Sequence, residues 1–211
     1  MGKTIQPPGR LTQVQLNGSG KNQPGTYKAS PHDLAAVQRY PTVESLMYSN
    51  PPALQEKCLA NEARAVVSTL SPRMVLLAEK LSVQALQDWL SLQIEGAFLA
   101  CGFQIAGQRD AVIRSVAGAI LFRYGHYKLS EIALFLGKYK NGDYGVHSSV
   151  FNQQKFMEAL SKFNKYRLQI LAEEEQHALQ QEREEWKRQA VPPPEGMDLD
   201  RLLVSGKKAT P

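Results

Sequence analysis

The residues of this chain best suited to chemistry are basic, and they are concentrated in its second half. Between Arg123 and Arg167 there are eight lysines and arginines against three acidic residues, a balance of +5 that equals the formal charge of the whole 211-residue chain. Clusters of such side chains neutralise the phosphates of nucleic acids. The segment therefore favours DNA contacts over the alternative of an ordinary solvated surface with scattered lysines.

No pattern typical of catalysis or of metal binding accompanies these charges. The four histidines stand apart from one another without the spacing of metal ligands, and the chain has no glycine-rich phosphate loop and no nucleophile elbow. Cys58 and Cys101 lie in apolar helical contexts, which favours buried free thiols in a reducing cytoplasm. We therefore expect a protein that is not an enzyme and that uses no cofactor and no metal.

The stretch 109–140 predicts two helices joined by a turn at Gly125. The first helix ends near Tyr124, and its predicted buried face consists of Val112, Val116, Ala119, Ile120 and Phe122. The second helix begins at Ser130, whose hydroxyl is suited to cap it, and Gly137 is placed to end it. A helix, a glycine turn and a second helix are typical of the front half of a helix-turn-helix.

The rest of the chain predicts helices rather than strands. Apolar residues between Val83 and Leu99 recur at steps of three and four, which is typical of a central helix of roughly 18 residues. Thr42 and Ser82 are suited to cap helices. A long helix of about 35 residues begins at Asn152 and becomes polar after its first half. The predicted fold is mainly α, a compact helical domain with a helix-turn-helix-like element, a long C-terminal helix and disordered tails.

Composition divides the chain into four parts. Residues 1–30 are predicted to be a disordered basic tail, 31–172 the helical domain, 173–190 a charged helical extension and 191–211 a second disordered tail. No apolar run of about 18 residues and no charged-then-apolar leader are present. The sequence thus predicts a cytoplasmic protein with no membrane partner.

The DNA-contacting residues are predicted from this charge distribution. Lys128, Lys138, Lys140 and Lys155 are predicted to neutralise phosphates, and Arg114 to reach a groove or a phosphate. Double-stranded DNA is the favoured ligand. Tyrosines interleaved with the lysines also suit stacking on the bases of single strands, so this alternative stays open.

The chain resembles two known groups of proteins, one by its origin and one by its DNA-binding domain. The segment Lys140–Gly145, together with Ala159–Phe163, resembles a family of uncharacterised proteins common on phages and conjugative elements of gut Bacteroidota, whose members carry a Lys-x-Gly-x-Tyr-Gly motif followed by a helix with Ala-Leu-x-x-Phe. Phe151-Asn152-Gln153 replaces the family's hydrophobic-Asp-Pro step, and Asn152 keeps the capping chemistry. The resemblance implies a mobile-element origin and carries no established activity.

The second resemblance is to the DNA-binding domain of the bacterial chromosomal replication initiator, which contains a helix-turn-helix. The segment 119–132 is similar to its apolar helix, the turn that follows and its Leu-Pro/Ser-Glu-Ile motif. Arg114 lies at the position where that domain has an arginine of its basic loop. His147, Ser148 and Ser149 resemble the polar residues that open its recognition helix, which implies base contacts for them and a helix starting near Ser148. Val146 departs from the aspartate of that signature, and about six extra residues precede it.

The chain also allows a different class of function, that of a protein–protein interaction adaptor or a structural phage protein. Trp186 lies in the charged extension, and the tail contains a small apolar patch with Leu199, Leu202 and Leu203. Such residues suit docking into the groove of a replication protein or another phage or host protein. A homo-oligomer formed through the long helix is likewise compatible with the sequence.

Overall fold

The computed structural model describes residues 29–104, 108–145 and 150–189, and these are helical almost throughout. In chain order the helices are α1 Pro31–Gln38, α2 Val43–Ser49, α3 Leu54–Leu59, α4 Glu62–Val67, α5 Met74–Lys80, α6 Val83–Ala100, α7 Arg109–Tyr124, α8 Leu129–Lys140 and α9 Gln153–Gln189. Extended pairing within these ranges is limited to two isolated bridges, Arg73 with Lys128 and Gln104 with Val150. The predicted mainly α fold with a long C-terminal helix is confirmed. The two predicted tails fall almost entirely outside the described residues.

Helix α8 is the centre of the first of two compact units, which extends to Ile170. Every residue from Leu129 to Gly137 is buried, and α3, α4 and α6 pack around the helix. This burial follows from the sequence, because Leu129, Ile132 and the run 133–137 place apolar or small residues on all sides of the helix. None of the described helices is long and apolar enough to cross a membrane.

Two predicted ends of α8 were wrong. The helix begins one residue before Ser130, and the Ser130 hydroxyl donates instead to the carbonyl of Ala65 at 2.6 Å. The helix also continues past Gly137 to Lys140. Gly137 lies against α3, where a Cβ atom would be 2.8 Å from Leu59 Cγ and 3.0 Å from the Gln55 carbonyl oxygen. Glycine is therefore present for close helix packing rather than for helix termination.

Gly137→Ala tests this close approach. Alanine favours a helix over glycine by about 1 kcal/mol, but overpacking costs about 1–3 kcal/mol, and the backbone oxygen of Gln55 has little freedom to retreat. We expect a net loss of free energy of unfolding, measured by urea denaturation. Gly118→Ala in α7 is the matched control, because its nearest contact is the end of the Gln87 side chain at 3.3 Å. It should be neutral or stabilising, and equal gains from both substitutions would contradict the packing argument.

Helix starts predicted from caps are mostly correct. The side chains of Thr42, Ser82 and Asn152 accept hydrogen bonds from backbone N–H groups three residues later, at 3.2, 3.0 and 3.0 Å. Helix α9 accordingly begins at Gln153, and the start near Ser148 implied by the second resemblance is wrong, since residues 150–152 are not helical.

Phe122, predicted to be buried, is 58% exposed, because α7 turns Ile113, Val116, Ala117 and Ile120 toward the core instead.

Candidate nucleic-acid interface

Three of the lysines predicted to bind phosphates are engaged in the fold. Lys128 is buried, and its ammonium group donates to the carbonyl of Val66 at 2.8 Å. Burial lowers the pKa of Lys128, with the nearby Arg73 and Arg167 acting in the same direction and Glu131 opposing them. This lysine joins α8 to α4, and it offers no charge at the surface.

Lys138 and Lys140 extend from the last turn of α8 to acidic partners. The Lys138 ammonium lies 2.9 Å from Glu62 and 2.8 Å from Asp143, with its side chain 14% exposed. Burial disfavours the charged form, but the hydrogen bonds to Asp143 and Glu62 outweigh it and raise the pKa of Lys138. Lys140 pairs with Glu56, and this hydrogen bond lowers the pKa of the Glu56 carboxyl. Both lysines are therefore neutralised locally.

A buried ion pair removes a further basic residue from the predicted surface. Arg167 of α9 donates from Nε to the Glu131 carboxylate at 2.7 Å, and its guanidinium carbon lies 4.6 Å from the centroid of the Tyr127 ring. Glu131 is fully buried and also accepts from the backbone N–H of Lys128 at 2.8 Å. The Tyr127 hydroxyl donates to Asn164 at 2.5 Å. These contacts join α9 to the residues at the start of α8.

The remaining lysines of the basic segment lie together on the exposed side of α9. Lys155, Lys162 and Lys165 are exposed, and their ammonium groups make no hydrogen bond or ion pair with any described residue. Steps of seven and three residues keep them within one face of a helix. At 1.5 Å per residue this face, here called the lysine face, spans about 15 Å. The one carboxylate on it, Glu158, accepts from Gln154 at 3.0 Å.

The other predicted site residues are placed as follows. Arg114 is exposed on α7, and its backbone carbonyl accepts from Gln87 at 3.0 Å. His147, Ser148 and Ser149 lie outside the described residues. Of the four lysines predicted, only Lys155 belongs to the lysine face. Lys162 and Lys165 were missed as site residues, although their spacing, opposite the apolar steps of Phe156 and Phe163, was the signal that could have identified them.

Helices α7 and α8 follow one another through a short turn, in which the Tyr127 N–H donates to the Tyr124 carbonyl at 2.8 Å. Burial of α8 restricts its role. A helix whose side chains are nearly all buried cannot place them in a DNA groove, so α8 can only support a neighbouring element. The helix-turn-helix function remains a prediction.

The residues predicted to bind a protein partner lie in the second unit, from Leu171 onward. Its described part is the second half of α9, as expected for the charged extension, and all of its residues after Leu171 are exposed. Trp186 is 74% exposed. Leu199, Leu202 and Leu203 lie outside the described residues.

Within the described ranges, no group of three or more histidine, cysteine or acidic side chains could hold a metal ion. Cys58 and Cys101 are free, and burial raises the pKa of the Cys58 thiol to about 11. A thiol with that pKa is almost entirely protonated at neutral pH and is a poor nucleophile.

Comparison of the chain with protein-family models, with curated proteins and with solved structures finds no match. The two family resemblances of the sequence therefore stay predictions, and functional inference depends on the arrangement of charges in this chain.

Proposed function

We propose that this chain is a non-enzymatic DNA-binding accessory protein of a phage or mobile element, acting in replication or its control, and that the lysine face of α9 contacts the phosphates. The observation that carries the proposal is the contrast among the basic residues. Four of the eight between Arg123 and Arg167 are neutralised or buried inside the fold, and Arg123 is exposed on α7. The other three, Lys155, Lys162 and Lys165, lie together on α9, exposed and unpaired among the described residues.

The dimensions of the lysine face suit duplex DNA. The major groove of B-DNA is about 12 Å wide and admits an α-helix. Ammonium groups distributed over about 15 Å of helix can therefore reach phosphates on both sides of the groove. Flexible lysine stems supply point charges without a fixed geometry, which favours affinity over sequence reading. The Lys-x-Gly-x-Tyr-Gly resemblance supports the mobile-element origin, and the initiator-like segment supports the link to replication.

The test is fluorescence anisotropy of the full chain with random double-stranded and single-stranded DNA at several salt concentrations. We expect the triple variant Lys155→Gln, Lys162→Gln, Lys165→Gln to bind duplex DNA more weakly and to reduce the slope of log affinity against log salt by about 2–3, since each phosphate contact contributes about 0.9.

A matched control removes the same charge elsewhere. Arg39 is exposed just after α1, Lys57 on α3 and Arg64 on α4, so their replacement by glutamine lowers the net charge equally. This control should keep nearly the parent slope. If the slope of log affinity against log salt falls by the same amount in both triple variants, binding depends on overall charge and not on the lysine face. Tighter binding to single strands than to duplex would contradict groove docking, and no binding at low salt would end the DNA hypothesis.

A further inference from the structure

The turn between α7 and α8 carries three aromatic rings in mutual contact, here called the aromatic turn. The ring of Tyr127 is fully buried, and its centroid lies 5.2 Å from that of Tyr124 and 4.8 Å from that of His126. Both contacts are edge-to-face, an arrangement that aromatic pairs prefer. Tyr124 is half-buried and His126 is exposed. Tyr127 thus holds two partly uncovered rings in fixed positions at the surface.

Hydrogen bonds fix the backbone of this turn as well. The Arg73 guanidinium donates to the His126 carbonyl at 2.8 Å. The Val75 N–H of α5 donates to the Gly125 carbonyl at 2.8 Å, in addition to the bond between Tyr127 and Tyr124. Because the turn is already ordered, its rings lose little conformational entropy when a ligand packs on them.

The electrostatics of the turn leave His126 as an aromatic face rather than a cation. Burial lowers the pKa of the His126 imidazole, and the charges of Arg167 and Arg73 act in the same direction. The ring is therefore neutral at neutral pH. Each of the two arginines also pairs with a carboxylate, Arg167 with Glu131 at 2.7 Å and Arg73 with Asp33 at 3.3 Å. Neither arginine therefore supplies the main charge for a ligand.

Arg123 and the lysine face supply that charge. Arg123 is exposed in the last turn of α7, one residue before Tyr124. The Tyr127 hydroxyl donates to Asn164 of α9 at 2.5 Å, and Lys165 is the next residue along that helix. Successive residues of a helix point about 100° apart, so the aromatic turn lies beside one end of the lysine face. A DNA molecule bound to these lysines therefore passes close to the rings.

Two other tyrosines of the basic segment are unsuited to contact with bases. Tyr139 is 5% exposed, and its ring packs edge-to-face on Phe156 at 4.9 Å. The ring of Tyr144 lies 5.8 Å from that of Phe135, and its hydroxyl is buried. Base stacking by the tyrosines of this segment is thus restricted to the aromatic turn.

We propose that Tyr124 and His126 stack an unpaired base of a DNA molecule whose duplex part lies on the lysine face. Every base offers a flat π-face, so such a contact does not select sequence, and cationic neighbours guide the strand that carries the base. The preferred ligand is then a junction between duplex and single strand. This ligand extends the proposed function, on which the assignment rests, from duplex DNA to DNA with an unpaired end.

The test compares a blunt duplex with the same duplex extended by a short single-stranded overhang that carries 2-aminopurine next to the junction. Fluorescence anisotropy gives the two affinities, and stacking on an aromatic ring quenches the emission of 2-aminopurine. The full chain should bind the overhang DNA roughly fivefold tighter or more, which is the lower end of the contribution of one stacked base. The emission of 2-aminopurine should fall when the protein binds.

The double variant Tyr124→Leu, His126→Gln removes both uncovered rings and keeps an apolar side chain against Tyr127. It should bind the two DNA molecules alike, lose the quenching and keep the parent's salt slope on the blunt duplex. His126→Gln alone changes an exposed side chain, so it should stay folded and lose part of the preference. Tyr48→Leu is the matched control, because Tyr48 of α2 is 89% exposed, and it should keep the full preference.

The outcomes separate the stacking site from the proposed function. Equal affinity of the parent for both DNA molecules would overturn the stacking site, and so would a preference that the double variant keeps or that Tyr48→Leu also loses. The lysine face would be unaffected by any of these results. The proposed function fails by a different result, namely a salt slope on the blunt duplex that the triple lysine variant retains.

Discussion

Replacing Arg167 by methionine is expected to lower the free energy of unfolding by about 3–5 kcal/mol, measured by urea denaturation followed by circular dichroism. The substitution keeps most of the side-chain volume but leaves the Glu131 carboxylate buried without its cation. Removing one partner of a buried ion pair has a cost of this size, because the remaining charge stays desolvated. The contact of the guanidinium with the Tyr127 ring is lost as well.

Two further variants separate charge from packing. Glu131→Gln combined with Arg167→Met removes both charges and keeps an acceptor for the Lys128 N–H, so it should recover much of the lost stability. Lys165→Met, on the exposed side of the same helix, should change stability by about 0.5 kcal/mol or less. If Arg167→Met has no larger effect than Lys165→Met, the buried pair does not support the fold.

The sequence predicted those parts of the fold that depend on local chemistry. The caps at Thr42, Ser82 and Asn152 involve residues three apart, and the bounds of α7 and the start of α9 follow from such signals and from helical periodicity. Gly137 shows where local reasoning fails, since a glycine in the last turns of a helix has the same sequence signature whether it ends the helix or admits a neighbouring one.

The candidate site was harder to predict from the sequence, because the contacts that decide which lysines are exposed join residues far apart in the chain. Lys138 and Glu62 are 76 residues apart in sequence, and Lys140 and Glu56 are 84 apart, so nothing near these lysines in the chain reveals that they are paired. Their basic charge was visible, but their availability depends on the packing of α8 against α3 and α4. Lys155, the fourth lysine predicted to bind phosphates, is exposed on a helix whose apolar face lies on the other side, and its contact with DNA stays a prediction.

Phe135→Ala is the second substitution expected to have a large effect, with a loss of about 3–5 kcal/mol in the free energy of unfolding. The Phe135 ring is fully buried, and its centroid lies 5.2 Å from Phe156, 5.6 Å from Phe163 and 5.9 Å from Tyr139. It therefore packs α8 against α9 through several aromatic contacts at once. Alanine removes these contacts and leaves a cavity that the surrounding rings cannot close.

Phe151→Ala provides the matched control, since it removes the same atoms from a half-buried ring at the edge of the cluster, 4.4 Å from Phe98. Water can occupy the space left there, so its loss should be clearly smaller in urea denaturation. Equal losses for the two variants would show that Phe135 is not central. Because Phe156 and Phe163 lie on the side of α9 away from the lysine face, Phe135→Ala should also leave the salt slope of DNA binding unchanged at temperatures where it is folded. A changed slope would mean that the packing of α9 against α8 helps to hold the lysines in place for phosphate contact.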